Sequence, residues 1–302
     1  MKRVTHATWR RRIESVKNTS VNIAGKLPQG LVELYADIRG HTQALGIDFL
    51  VVGATARDSV FVHGFGCPVE RGTTDVDFGI HVASWDEFSA LKDRLLAAGY
   101  KADTHKIHRF SHGVPKGPRW EIDIVPFGKI AGNDNKIGWP PEQDIVMNVL
   151  GFSEAFEHAL DVHISADPDI VIPVASPAGM CLLKLVSWLD REIGLRARDA
   201  ADFEYLIRSY TKIPEIRDAL FEEGQMEAQD WDQTKASAMK LGQDAREISS
   251  AATQVFLKES LFDQPSKKEE FARDMQRQNR RDLTQCAELL EIFSAAFLKR
   301  ST

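Results

Sequence analysis

The sequence predicts an α/β fold, in which a mixed sheet of about four or five strands is flanked by helices and followed by an all-helical C-terminal part. In the first half of the chain, short apolar and β-branched runs alternate with segments of helical periodicity. After Ile213 only helical spacing remains. We therefore expect a basic N-terminal arm at 1–30, an α/β core at 31–175 and a helical C-terminal domain at 176–302.

Helices and strands follow one another along the predicted core. Helical spacing predicts a helix at 31–45, and the apolar run at 47–52, broken only by Asp48, predicts a buried strand. The next elements are a helix at 56–62, a strand at 75–82, a helix at 85–98, a strand or hairpin arm at 101–112, a strand at 120–127, a short helix at 152–158, and strands at 162–165 and 170–174. Residues 129–150 are expected to be irregular.

Two helices open the C-terminal part. Ser176 and Pro177 are typical of a helix start, and this helix is predicted to continue to Ile193 with apolar residues on nearly all sides. A second helix is predicted at Ala197–Tyr210. Because the first helix belongs to the core, Lys184 in its middle needs an anionic partner.

Composition is that of an ordinary soluble globular protein, with 302 residues, 43% hydrophobic, 27% charged and a net charge of -6. The N-terminal region differs, because a single Glu14 faces seven basic residues: Lys2, Arg3, Arg10, Arg11, Arg12, Lys17 and Lys26. Such a patch could hold an RNA backbone, although a solvated helix face is commoner.

The cysteines and the apolar segments indicate a cytoplasmic protein. Cys67, Cys181 and Cys286 are far apart and odd in number, with no metal or redox spacing. This fits a reducing compartment, in which thiols simply pack. We find no signal peptide and no apolar stretch long enough to span a bilayer.

Three carboxylates are predicted to meet in the sheet. Side chains alternate along a strand, so Asp75 and Asp77 share one face, and Asp123 lies on a strand that can pair beside them. Carboxylates on neighbouring positions of one sheet face repel one another. A bound Mg²⁺ is the usual reason for such an arrangement. A lone Asp-x-Asp is more often an Asx-rich turn, so its surroundings matter.

The segment Gly53-Ala54-Thr55 joins the buried strand to a helix. Backbone N–H groups and the dipole at such a helix start favour a phosphate, and glycine allows close approach. Thr55 could cap the helix or touch the phosphate. The alternative is that Gly53 only shapes a tight turn.

The turn and the carboxylates together predict metal-assisted nucleotidyl transfer. One Mg²⁺ would hold a triphosphate through Asp75 and Asp77. A second would lie between these residues and Asp123 and lower the pKa of an attacking hydroxyl. With a single metal, Asp123 could instead be the general base.

These motifs resemble those of known enzymes. Gly53-x-Thr55, Arg71-x-x-Thr74-Asp75-x-Asp77 and Ile122-Asp123-Ile124 resemble the DNA polymerase β-type nucleotidyltransferase superfamily. Leu182-Leu183-Lys184, then Arg191 and Arg198-Asp199-Ala200-Ala201-Asp202, resemble its AbiEii group, the toxins of bacterial toxin–antitoxin and abortive-infection systems. The resemblance covers roughly residues 47–210 and implies a nucleotidyltransferase-type mixed sheet.

The resemblance also implies function. It implies an NTP substrate, Mg²⁺, an RNA acceptor such as tRNA, and an antitoxin partner. The catalytic residues that it implies, together with the third acid, are Asp75, Asp77, Asp123, Lys184 and Asp199. The residues assigned to substrate binding are Gly53, Ala54, Thr55, Arg57, Arg71, Thr74 and Asp202, and Ala54 stands where the family has glycine or serine.

Several alternatives stay open at this point. Lys184 could contact a phosphate or base, which we favour slightly, or pair with Asp199 or Asp202. Arg71 and Arg109 are plausible triphosphate partners, although a surface position is the commoner interpretation for Arg109. The acceptor could also be a protein or a small molecule, and the fold could serve a non-catalytic NTP-binding module.

Overall fold

The computed structural model describes residues 20–70, 72–73, 75–113, 119–279 and 282–299. Ten strands lie in these ranges: β1 Val21–Asn22, β2 Asp48–Val52, β3 Asp75–His81, β4 Lys101–Ala102, β5 Arg109–Gly113, β6 Arg119–Phe127, β7 Lys136–Gly138, β8 Val146–Asn148, β9 Leu160–Ala166 and β10 Asp169–Val174. Most of the predicted basic arm, as well as Arg71 and Thr74, lies outside the described residues.

Eight strands form one mixed sheet in the order β1-β9-β10-β2-β3-β6-β5-β4. The pairs β1–β9, β10–β2 and β3–β6 are parallel, and the other pairs are antiparallel. The predicted α/β class is confirmed, but the sheet has more strands than expected. Its two edge strands are only two residues long, too short to show a sequence pattern.

Three helical segments interrupt the first strands: α1 Gln29–Leu45, α2 Gly53–Arg57 and α3 Trp85–Ala97. The α1 helix ends at Gly46, which has φ 66° as a left-handed C-cap requires. A π-helical segment at Asp58–Gly64 continues α2. Helical structure thus begins at Gly53 itself, three residues before the predicted start, because the small residues after β2 form its first turn.

The stretch predicted to be irregular contains short regular elements. A 3₁₀ turn at Lys129–Ala131 precedes β7 and β8, which pair as a separate two-stranded sheet. Trp139 is buried between them, with its ring 5.5 Å from that of Trp85. The short helix α4 follows at Phe152–Glu157.

In the described part of the C-terminal region there are eight further α-helices: α5 Pro177–Asp190, α6 Ala197–Tyr210, α7 Pro214–Glu222, α8 Gln225–Ala228, α9 Gln233–Ile248, α10 Ala251–Leu257, α11 Pro265–Asn279 and α12 Leu283–Leu298. The Ser176 hydroxyl accepts the Gly179 N–H at 3.3 Å, so the predicted cap is confirmed. The α5 helix ends at Asp190, three residues before the predicted end.

One continuous apolar core joins the sheet to these helices. On the helical side the rings of Phe203 and Phe271 lie 5.2 Å apart, and those of Phe203 and Phe293 5.0 Å apart. Cys67, Cys181 and Cys286 are buried thiols that form no disulfide, as predicted. No helix within the described ranges is long and apolar enough to cross a membrane.

Candidate functional site

The carboxylates predicted from the alternation lie on adjacent strands. Because β3 and β6 are parallel, Asp77 stands directly beside Asp123, and Asp75 beside Glu121. Asp75 has 41% of its side chain exposed and Asp123 13%, and Asp77 is half-buried between them. The structure therefore brings Asp75, Asp77 and Asp123 together on one face of the sheet.

Gly53 lies against the central carboxylate. Val52 pairs with Asp77 across β2 and β3, so the chain leaves β2 immediately beside the acid. Gly53 has φ +72°, and a Cβ at this position would stand 1.9 Å from Oδ2 of Asp77. Only glycine satisfies both the positive φ and the close approach.

Burial characterises the rest of the turn. Ala54 and Thr55 are both buried, and no side chain caps the start of α2. The Thr55 side chain lies beside the hydroxyl of Tyr35 in the core, so it does not cap the helix as one alternative had it. The predicted contact of Thr55 with phosphate stays a prediction.

Arg57, at the end of α2, is buried and bound to acids. Its Nε and Nη2 donate to Oδ1 of Asp58 at 2.9 and 2.7 Å, and its Nη1 donates to Asp202. The guanidinium also lies over the ring of Tyr205, 5.1 Å from its centroid. Arg57 was assigned to substrate binding from the sequence. In the structure its guanidinium forms an internal ion pair with Asp202.

Lys184 on α5 joins the same buried cluster. Its Nζ lies 2.9 Å from Oδ1 of Asp199 and 2.7 Å from Oδ2 of Asp202, whose side chains are 1% and 3% exposed. Burial alone would lower the pKa of Lys184, but the two carboxylates outweigh it and raise this pKa. Of the two interpretations of Lys184, the structure shows the ion pair, and a role as ligand stays a prediction.

Two more groups complete this cluster. Ser187 Oγ donates to Oδ2 of Asp199 at 3.2 Å, and Nη1 of Arg191 lies 3.2 Å from the same oxygen. The positive charges of Lys184 and Arg191 also act on Asp77, and they partly offset the rise in its pKa that burial causes. The lysine–aspartate cluster therefore borders the carboxylate site.

The commoner interpretation of Arg109 on β5, a surface position, is wrong, because only 13% of its side chain is exposed, and its contact with a triphosphate stays a prediction. Arg109 stands opposite Asp123 across β5 and β6. Its Nε and Nη2 each donate to one oxygen of Asp123 at 2.7 Å, and its Nη1 donates to Glu121. No pattern in the sequence indicates this contact, because it depends on the pairing of β5 with β6.

Asp77 has a raised pKa because of its position in the sheet. Burial, followed by the charge of Asp123, raises the pKa of Asp77 to about 6 from its ordinary value of 3.8. Among the residues that the structure describes, the side chain of Asp77 has no hydrogen-bond or ion-pair partner. A half-buried carboxylate of this kind is costly in its ionised form unless a cation reaches it.

The donor set fits a divalent cation in part. Asp75 and Asp77 offer the hard oxygen ligands that Mg²⁺ takes. Both oxygens of Asp123, by contrast, accept hydrogen bonds from Arg109. In line with this, no group of three His, Cys, Asp or Glu side chains in the described part of the chain is arranged to hold a metal.

A mixed sheet with three acids on neighbouring strands, next to a glycine turn that opens a helix, defines a nucleotidyltransferase. The comparison with protein families agrees with this class. The family described as "Nucleotidyl transferase AbiEii toxin, Type IV TA system" matches residues 41–296, and the chain belongs to this family. A type IV toxin–antitoxin family also implies an antitoxin partner. The comparison with curated proteins finds no match.

Proposed function

We propose that this protein is a Mg²⁺-dependent nucleotidyltransferase toxin that moves a nucleotide from an NTP to a hydroxyl group of RNA, with tRNA as the leading acceptor. The observation that supports it most is the position of Asp77, pressed against Gly53 and flanked by Asp75 and Asp123.

The proposed reaction is a substitution at the α-phosphorus of the NTP. The acceptor oxygen forms the new P–O bond, the bond to the β-phosphate oxygen breaks, and pyrophosphate leaves with its electron pair. The hydroxyl proton passes to a base or to solvent. Bound to Asp75 and Asp77, Mg²⁺ would supply charge stabilisation for the phosphate oxygens.

The residues of the chain have separate roles in this proposal. Asp75 and Asp77 are the metal ligands, and the turn from Gly53 to Thr55 lies where the triphosphate would approach them. Lys184 supplies positive charge at the border of the site, fixed in place by Asp199 and Asp202. Such a site acts by positioning and electrostatic stabilisation.

An RNA acceptor is favoured by the sequence of the N-terminal region. Seven basic residues against one acid before residue 27 suit a phosphate backbone, and the remainder of the chain is acidic. A protein or small-molecule acceptor has no comparable support. Cytoplasmic location and an antitoxin specific to this chain complete the proposal.

The test is a transfer assay with each α-³²P-labelled NTP, Mg²⁺ and either total tRNA or total cell protein. We expect label in RNA, dependent on the divalent cation, and its loss in Asp77→Asn and Asp75→Asn. The matched control is Asp93→Asn, which changes an exposed aspartate on α3.

Each outcome distinguishes one hypothesis. Label in protein but not in RNA would replace the RNA acceptor with a protein one. Transfer that persists in Asp77→Asn at the level of Asp93→Asn would refute the proposed site. Transfer without any divalent cation would refute the metal dependence.

A further inference from the structure

Arg109 binds several acids of the site at once. Its guanidinium holds Asp123 through two parallel hydrogen bonds of 2.7 Å and donates to Glu121. Its Nη2 also lies 3.5 Å from Oδ2 of Asp75. This fork geometry is the strongest contact that a guanidinium makes with a carboxylate.

The backbone fixes this contact. Arg109 faces Asp123 in the register of β5 and β6, and Asp123 faces Asp77 in the register of β6 and β3. With 13% of its side chain exposed, the guanidinium is largely withdrawn from solvent. The positively charged side chain of Arg109 is therefore part of the sheet and lies next to Asp123, on the side away from Asp77.

The acids consequently divide into two kinds. The negative charge of Asp123 is balanced by Arg109 through both of its oxygens. Asp77 has no such partner in the described ranges. A cation that enters the site thus meets Asp123 with both of its oxygens engaged by Arg109, whereas Asp77 has no such side-chain contact among the described residues.

We propose that Arg109 is the positioning residue of this site: it holds Asp123 and stands in for a second cation, so that the acidic cluster takes one divalent cation through Asp75 and Asp77. This inference rests on the proposed function. It excludes the two-metal arrangement in which Asp123 would be a shared ligand.

Loss of the guanidinium has two opposite effects under this proposal. It exposes the charge of Asp123, and a nearby charge of this kind changes cation affinity by about tenfold or more. It also frees Asp123 to move, so transfer falls. A merely structural arginine would instead weaken metal binding and transfer together, through loss of the folded site.

The experiment titrates Mn²⁺ into the purified full chain and follows free Mn²⁺ by electron paramagnetic resonance. We expect one bound Mn²⁺ in the wild type and none in Asp77→Asn. In Arg109→Gln, Mn²⁺ affinity should rise about tenfold, while nucleotidyl transfer falls at least as much. Arg109→Lys, which keeps the charge but not the fork, should show near wild-type Mn²⁺ affinity and recover part of the transfer.

Asp123→Asn provides a second test that does not depend on the folding of Arg109→Gln. Its Mn²⁺ stoichiometry should stay at one, because Asp123 is not a ligand. Two Mn²⁺ in the wild type and one in Asp123→Asn would overturn the inference. So would a folded Arg109→Gln, judged by circular dichroism, with unchanged or weaker Mn²⁺ binding. A wild type that binds no Mn²⁺ would overturn the metal-dependent function and this inference with it.

Discussion

Replacing Asp77 with asparagine should make the metal-free protein more stable while it abolishes transfer. The folded state raises the pKa of Asp77 from 3.8 to about 6, so it favours the neutral side chain. A shift of about two units corresponds to roughly 3 kcal/mol, and partial solvent contact reduces this, so we expect a gain of about 1–3 kcal/mol at pH 8. Asparagine has nearly the same shape and carries no charge.

The gain should depend on pH in a defined direction. Between the unfolded pKa of 3.8 and the folded pKa of about 6, the native state binds more protons than the unfolded state. Wild-type stability therefore falls, relative to Asp77→Asn, as pH rises through this window. Below it the carboxyl group is protonated in both states, and the difference should disappear.

Urea denaturation followed by tryptophan fluorescence, at pH 8 and near pH 4 with EDTA, measures this difference. Asp93→Asn serves as the exposed control and should show no gain. Added Mg²⁺ should stabilise the wild type but not Asp77→Asn, since only a site that binds the cation gains from it. An Asp77→Asn protein that is no more stable than the wild type at pH 8 would refute the argument that Asp77 is an uncompensated charge.

Three other substitutions test the geometry. Gly53→Ala should abolish Mn²⁺ binding and transfer and cost about 1–3 kcal/mol of stability, because its methyl group would lie 1.9 Å from a catalytic carboxylate at a φ of +72°; wild-type Mn²⁺ affinity would contradict this. Lys184→Met should lower the free energy of unfolding by about 3 kcal/mol, since it leaves two buried carboxylates short of a partner; urea denaturation measures the loss, and a change below about 1 kcal/mol would show that the pair is effectively solvated. Gly242→Ala should cost about 1–3 kcal/mol, because a Cβ there would stand 2.5 Å from a backbone carbonyl of α12. Its matched control is Gly40→Ala in α1, where nothing lies within 4 Å of the added Cβ. This variant should gain about 0.5–1 kcal/mol in free energy of unfolding. Equal shifts of the thermal midpoint in the two variants would argue against close packing of α9 on α12.

Local patterns were sufficient to predict the central strands and the acids on them. The alternation around Asp75 and Asp77 sets their common face, and the same period places Asp123 on the matching face of β6. The apolar sequence after Asp48 marks β2 as buried. The bounds of α6 also agree with the periodicity, because its apolar residues recur at helical spacing from its first turn to its last.

Contacts between distant segments were not predictable in the same way. The partner of Arg109 depends on the register of β5 against β6. That register cannot be predicted from one arginine on a five-residue strand. The edge strands β1 and β4 form only because neighbouring strands offer free hydrogen-bonding groups. For Lys184, the sequence supplied both candidate acids but not the distances to them.

The helical part of the protein contributes directly to the geometry of the site. Arg57, four residues after Gly53, is bound to Asp202 on α6, and Lys184 on α5 is bound to the same aspartate. The turn that contacts Asp77 is thus connected to α5 and α6 by ion pairs to the buried carboxylate of Asp202. Movement of α6 would carry the turn away from Asp77 or break the buried ion pairs that Asp202 makes with Arg57 and Lys184, which is costly in a low-dielectric interior. The position of the turn against Asp77 therefore depends on the helices as well as on the sheet.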